Sequence, residues 1–161
     1  MPAVKPIPDG FHSLTPHLVV KGCAKAMDFY KQAFGAEELG RHAMPDGSIM
    51  HALMRIGDSM LMLNDEFPQM GAKGPSTIGG TPVTLHIYVQ DADKSWQQAL
   101  SAGATVTMPL ADQFWGDRYG IVTDPFGHHW SIATHKVDLS PDQMMAAAKT
   151  AMSGPPPGKK A

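Results

Sequence analysis

The sequence predicts an α+β fold: two βαβββ modules whose curved mixed sheets enclose a cavity, either within the chain or across a dimer. Three observations lead there. The order strand–helix–strand–strand–strand can be read twice along the chain. A shift of 69 positions lays His17-Leu18-Val19-Val20 on His86-Ile87-Tyr88-Val89, Lys25 on Lys94 and Met27 on Trp96. Such spacing marks a structural repeat even where identity is low. Between the two readings, Asp65 to Thr81 holds four glycines, two prolines and no periodicity. Gaps of that length inside a domain are linkers or functional loops.

In chain order, residues 1–13 carry three prolines and read as an arm. The first module spans 14–66. Thr15 to Val20 alternates as a strand, with Thr15, His17 and Val19 on one face. Ala26, Phe29, Tyr30, Ala33 and Phe34 recur at helical spacing, and Gly35 ends the helix. Strands follow at 37–43, 48–56 and 59–64, separated by Met44-Pro45-Asp46-Gly47 and Gly57-Asp58. The linker covers 67–81 and the second module 82–136. Its strand at 82–89 puts Thr84, His86 and Tyr88 on one face. Asp91 caps a helix built on Ala92, Trp96, Ala99 and Leu100 and stopped at Gly103. Strands at 104–109, 118–123 and 128–134 complete it. In 137–161, Ser140-Pro141-Asp142-Gln143 is a capping box that opens a helix to about Thr150, and 153–161 reads as a disordered tail.

Composition narrows the function. Apolar residues are 43% and charged residues 17% of 161, with net charge −2. This is a globular, soluble composition without the basic surface that nucleic acid requires, and without an apolar run long enough for a membrane. Prolines near the N-terminus argue against an export signal, and a lone cysteine, Cys23, against disulfides, so a cytoplasmic location is expected. Cys23 has no evident catalytic partner and reads as structural. The chain is rich in Met and His, with twelve and eight.

The candidate site comes from strand parity. The inward positions are Thr15, His17, Val19, Met60, Met62 and Asn64 in the first module. In the second they are Thr84, His86, Tyr88, His129, Ser131 and Ala133. His17 and His86 are repeat-equivalent and are the catalytic candidates. Two such imidazoles either hold a divalent metal or orient an acidic substrate, or each simply bonds a neighbouring hydroxyl. Met62, Asn64, His129 and Ser131 are ligand-binding candidates beside them. Trp115 and Arg118 lie in a Gly-flanked loop: Trp can stack on a ligand and Arg can grip a carboxylate or phosphate. The plainer reading is an Asp117–Arg118 surface pair with Trp115 as an anchor. His51 faces either the cavity or the outer surface, with the plainer reading preferred, and His12 and His42 read as solvated. No inward Asp or Glu is expected.

Three stretches, PHLVVKGCAKAMDFYKQAFGAE, MHALMRIGDSMLMLND and WGDRYGIVTDPFGHHWSIATH, resemble the vicinal oxygen chelate superfamily of glyoxalases, bleomycin resistance proteins and extradiol dioxygenases. Within it they resemble the PhnB-like branch. The resemblance implies the glyoxalase/bleomycin resistance fold, and a homodimer. The metal-ligand positions of the superfamily's enzymes fall on Thr15, Met62, Thr84 and Ser131, which make no site for Zn, Ni, Mn or Fe. The expected function is therefore binding of a small organic molecule in the cavity between modules, without the usual metal. The alternative is a divalent-metal-dependent lyase, isomerase or dioxygenase using His17 and His86, with Asn64 or His129 as a further ligand. A third is a metal-free enzyme with His17 or His86 as general base.

Overall fold

A computed structural model describes residues 4–153. The first module holds β1 (His17–Val20), α1 (Cys23–Phe34), β2 (Glu37–Ala43), β3 (Ile49–Ile56) and β4 (Ser59–Asp65). A short helix α2 (Pro75–Ile78) lies in the connection. The second module holds β5 (Thr84–Tyr88), α3 (Ala92–Ala102), β6 (Thr105–Asp112), β7 (Asp117–Thr123) and β8 (His129–His135), and α4 (Pro141–Ser153) follows. The sheets have the orders β1-β4-β3-β2 and β5-β8-β7-β6. In each, the first strand pairs parallel to the last and the remaining pairings are antiparallel. This is the predicted doubled α+β architecture.

Local chemistry sets the boundaries. Gly35 ends α1 at φ 64, where a side chain would be strained. Asp91 Oδ1 accepts from Lys94 N at 2.9 Å, as an N-cap should. α1 has no capping side chain of its own. Asp65 replaces it from β4, its Oδ1 accepting from Gly22 N at 2.9 Å and Cys23 N at 2.8 Å. The repeat-equivalent Thr134 does the same for α3, its hydroxyl accepting from Ala92 N at 2.8 Å. Burial, then the Asp65 charge, pushes the Cys23 thiol up to about 12, so it stays protonated and inert.

Three expectations shift. β6 runs on through Pro109 to Asp112, with register irregularities on either side of Met108; the second spans Pro109, which cannot donate to a ladder. β7 begins at Asp117, which belongs to the strand rather than to the loop before it. The linker is not structureless. It carries a 3-10 turn at Pro68–Met70 and α2, and Glu66 Oε1 accepts from Gly74 N at 2.7 Å. Gly74 lies so near β1 that a Cβ there would stand 2.8 Å from the Val19 carbonyl oxygen. The capping box forms: Gln143 N donates to Ser140 Oγ at 3.3 Å and Ser140 N to Gln143 Oε1 at 2.9 Å. The expected disordered tail lies, beyond Ser153, outside the described residues.

The core determines where any site can be. α1 packs on one sheet through Ala26, Met27 and Tyr30; α3 packs on the other through Trp96 and Ala99. The helices also pack on each other. Tyr30 and Phe34 of α1 meet Trp130 of β8, with ring centroids 5.2 and 4.6 Å apart. Tyr30 donates to Asp124 Oδ2 across the modules at 2.7 Å. Both helices are thus sandwiched between the sheets in one continuous apolar core. The opposite face of each sheet points outward.

Candidate functional site

The outward face of the second sheet is built in rows. Thr84, His129 and Thr123 are register partners; so are His86, Ser131 and Ile121, and Tyr88, Ala133 and Tyr119. His86 Nδ1 lies 2.7 Å from Ser131 Oγ. The His86 ring meets Tyr88 edge-on at 4.5 Å and stacks with Tyr119 at 5.9 Å. Burial lowers the His86 pKa, with the Asp117 charge opposing weakly, so the imidazole is neutral at neutral pH. Trp115 continues the row, edge-on to Tyr119 at 5.4 Å.

Asp117 organises this corner. It is only 5% exposed. Its carboxylate accepts from Tyr88 OH at 3.1 Å and Trp115 Nε1 at 3.1 Å, and lies 2.7 Å from His135 Nδ1. Burial pushes its pKa up, but the bonds from His135, Tyr88 and Trp115 outweigh that and hold it below the ordinary carboxylate range. The same bond to Asp117 raises the Tyr88 phenol, which stays protonated. His135 Nε2 reaches Asp138 at 2.9 Å, and the two carboxylates raise its pKa.

The first sheet's outward face differs. His17, Met62, Leu53 and Gly40 form one row, and His42 partners His51. The His17 and His51 rings stand edge to face at 5.8 Å. Burial, then the neighbouring His17 and His42, lowers the His51 pKa. Asn64 is buried and donates its amide to Asp65 O at 2.7 Å.

The predicted residues therefore divide between two faces. His17, Met62 and Asn64 share the first sheet, and His86, His129, Ser131 and Trp115 lie on or beside the second. His17 and His86 stand on different sheets, on opposite sides of the helix layer. Arg118 joins neither face. It points to the helix side, where Asp93 binds it bidentately at 2.7 and 2.9 Å, beside a 410 Å³ cleft that includes Trp96. Asp117 is buried and does not pair with Arg118, contrary to the surface-pair reading. A larger cleft, 1150 Å³, runs along β5 towards the start of β1 and is lined by Thr15, Met60, His86 and Tyr88 among others.

Sequence reasoning missed Asp117 and Tyr119, and left His51 between the cavity and the outer surface. Taking β7 from Asp117 places Asp117 and Tyr119 on the Tyr88 face by parity, which contradicts the expectation of no inward carboxylate. Leu53 partners Met62 as Ile121 partners Ser131, so His51 is the repeat equivalent of Tyr119.

A family model, the glyoxalase/bleomycin resistance protein/dioxygenase superfamily, matches residues 10–132. The chain belongs to this superfamily. An uncharacterised protein of Mycobacterium tuberculosis H37Rv is 52% identical over 145 residues, covering 88% of this chain and 85% of the relative. Among solved structures, TioX from Micromonospora sp. ML1 superposes with TM-score 0.62 at 28% identity, covering 77% of this chain and 98% of TioX. An Arabidopsis thaliana gene product gives TM-score 0.62 at 28% identity, covering 76% and 98%.

The superfamily's metal can be tested against the donors in place. The positions that the resemblance implies for it are Thr15, Met62, Thr84 and Ser131, and the Ser131 hydroxyl already bonds His86. Hydroxyls and a thioether suit Zn, Ni, Mn or Fe poorly. Among the described residues no three His, Cys, Asp or Glu side chains stand together as a metal site. The donor set does not fit the superfamily's divalent metal.

Proposed function

We propose that this superfamily member binds a small organic molecule in a cavity completed by a second copy of the chain, without the superfamily metal. One observation carries this reading. The two faces that hold the candidate residues point away from each other across a shared helix core, so each is half a cavity. In a homodimer, the His17–Met62 face of one copy closes over the His86–Ser131 face of the other. The open faces support this. Tyr88 is 63% exposed, and a large side chain left this open asks for a partner. Among the described residues β1 and β5 each end their sheets with an unpaired edge. Trp115 and Tyr119 supply ring faces for stacking, while Met62 and Leu53 supply adaptable apolar surface opposite. His86, neutral and with Nε2 unused by Ser131, is the polar contact. We read the chain as PhnB-like on its three quoted stretches, and as cytoplasmic.

The test is light scattering on the full chain with a titration of 2-naphthol followed by tryptophan fluorescence. Trp96 and Trp130 are buried, so quenching reports on Trp115. A dimer with saturable quenching, weakened about tenfold or more in Tyr119→Leu, is expected. A monomer without saturable quenching overturns the reading.

A further inference from the structure

The corner around Asp117 has a chemistry that a general apolar pocket does not need. Three aromatic rings, Tyr88, Tyr119 and Trp115, stand beside the His86 imidazole on one face, each within 6 Å of the next along the chain of contacts. The hydroxyl of Tyr88 and the indole N–H of Trp115 both donate into the same carboxylate. That has two effects. The rings are held in place, and their polar edges are used up, so they present π faces to a ligand. Donation to a carboxylate also moves electron density into the ring, which strengthens the negative face that attracts cations.

The charges around the corner agree. Asp117 is ionised at neutral pH, and His86 is neutral and does not repel a cation. Arg118, the next residue, is turned to the far side of the sheet and neutralised by Asp93 and Asp112. Among the described residues His135 is the basic group bonded to Asp117, and Asp138 sits on its other nitrogen. In the proposed dimer the opposing face brings Met62 and His51, and burial keeps His51 neutral too.

From this juxtaposition of Tyr88, Trp115, Tyr119 and His86 over the buried Asp117, we infer that the second-module face is a binding site for an organic cation, an alkylated ammonium group. The inference rests on the proposed ligand-binding function and names the class of ligand. Cation–π contacts strengthen as the cation is desolvated, and the carboxylate behind the rings adds to them.

The experiment compares benzyltrimethylammonium with neopentylbenzene, which has the same shape with carbon in place of nitrogen. Both are titrated into the full-length protein, read by Trp115 fluorescence and by calorimetry. Tighter binding of the cation by about tenfold or more is expected. Two variants locate it. Asp117→Asn removes the charge and should reduce the preference while the rings remain. Tyr119→Leu leaves the three bonds to Asp117 intact and should weaken the cation about tenfold. Equal binding of the two probes overturns the inference and leaves the ligand-binding function standing. If neither probe nor 2-naphthol binds, both fall.

Discussion

Two aspartates do unlike work in the second module. Asp124 is structural. Its Oδ1 accepts from Phe126 N and His128 N at 2.9 Å each, and its Oδ2 from Tyr30 OH at 2.7 Å and Trp130 Nε1 at 2.9 Å. Burial first, then Asp124, pushes the Tyr30 phenol well above its usual range. Asp124→Ala would strand four donors around a buried position, and a loss of more than about 3 kcal/mol is expected in urea unfolding. Asp117 instead carries a pH dependence with His135. The raised His135 pKa means its stabilising effect is complete below the unfolded value of about 6.5 and is lost as pH rises through the folded value. The lowered Asp117 pKa means its effect is present above about 3.9 and lost as pH falls through the folded value. The pair is therefore complete in the window between, on the acid side of neutrality. The melting temperature lost in His135→Gln should be larger near about pH 6 than near about pH 9, as measured by thermal scans at both.

At the scale of elements, close approach matters most in β7. A Cβ at Gly120 would lie 2.7 Å from the Trp96 ring and 2.8 Å from Leu110 Cα, so α3, β6 and β7 meet there. Gly120→Ala must push backbone apart and should cost about 1–3 kcal/mol, read from the unfolding midpoint. The strand and helix spans were readable from sequence because side chains alternate on strands and recur at helical spacing in α1 and α3. Cap and turn residues marked the ends: Gly35, Asp91, Gly103 and the Ser140 box. The start of β7 was not readable. Trp115-Gly116-Asp117-Arg118 has the composition of a loop, and only pairing of Asp117 with His135 makes it a strand.

At the scale of the molecule, one core joins the modules. Trp130 is buried to 2% and lies against Tyr30 and Phe34 of the other module. Trp130→Ala should cost about 3–5 kcal/mol. Because the core is shared, far-ultraviolet circular dichroism and fluorescence should still report a single coincident transition; two separated transitions would contradict it.

Sequence alone determined the doubled βαβββ order, the repeat-equivalence of His17 and His86, the superfamily resemblance and the misfit of Thr15, Met62, Thr84 and Ser131 to its metal. The first two follow from local periodicity; the resemblance rests on the three quoted stretches, and the misfit on the positions that the resemblance implies. Only tertiary structure decided that the helices pack between the sheets, which turns His17 and His86 outward on separate faces. It also turned Arg118 to the helix side and gathered Tyr88, Trp115, Asp117 and His135 at one corner. Strand parity says which residues share a face. Which way that face looks depends on long-range packing such as Tyr30 on Trp130, 100 positions away in the chain.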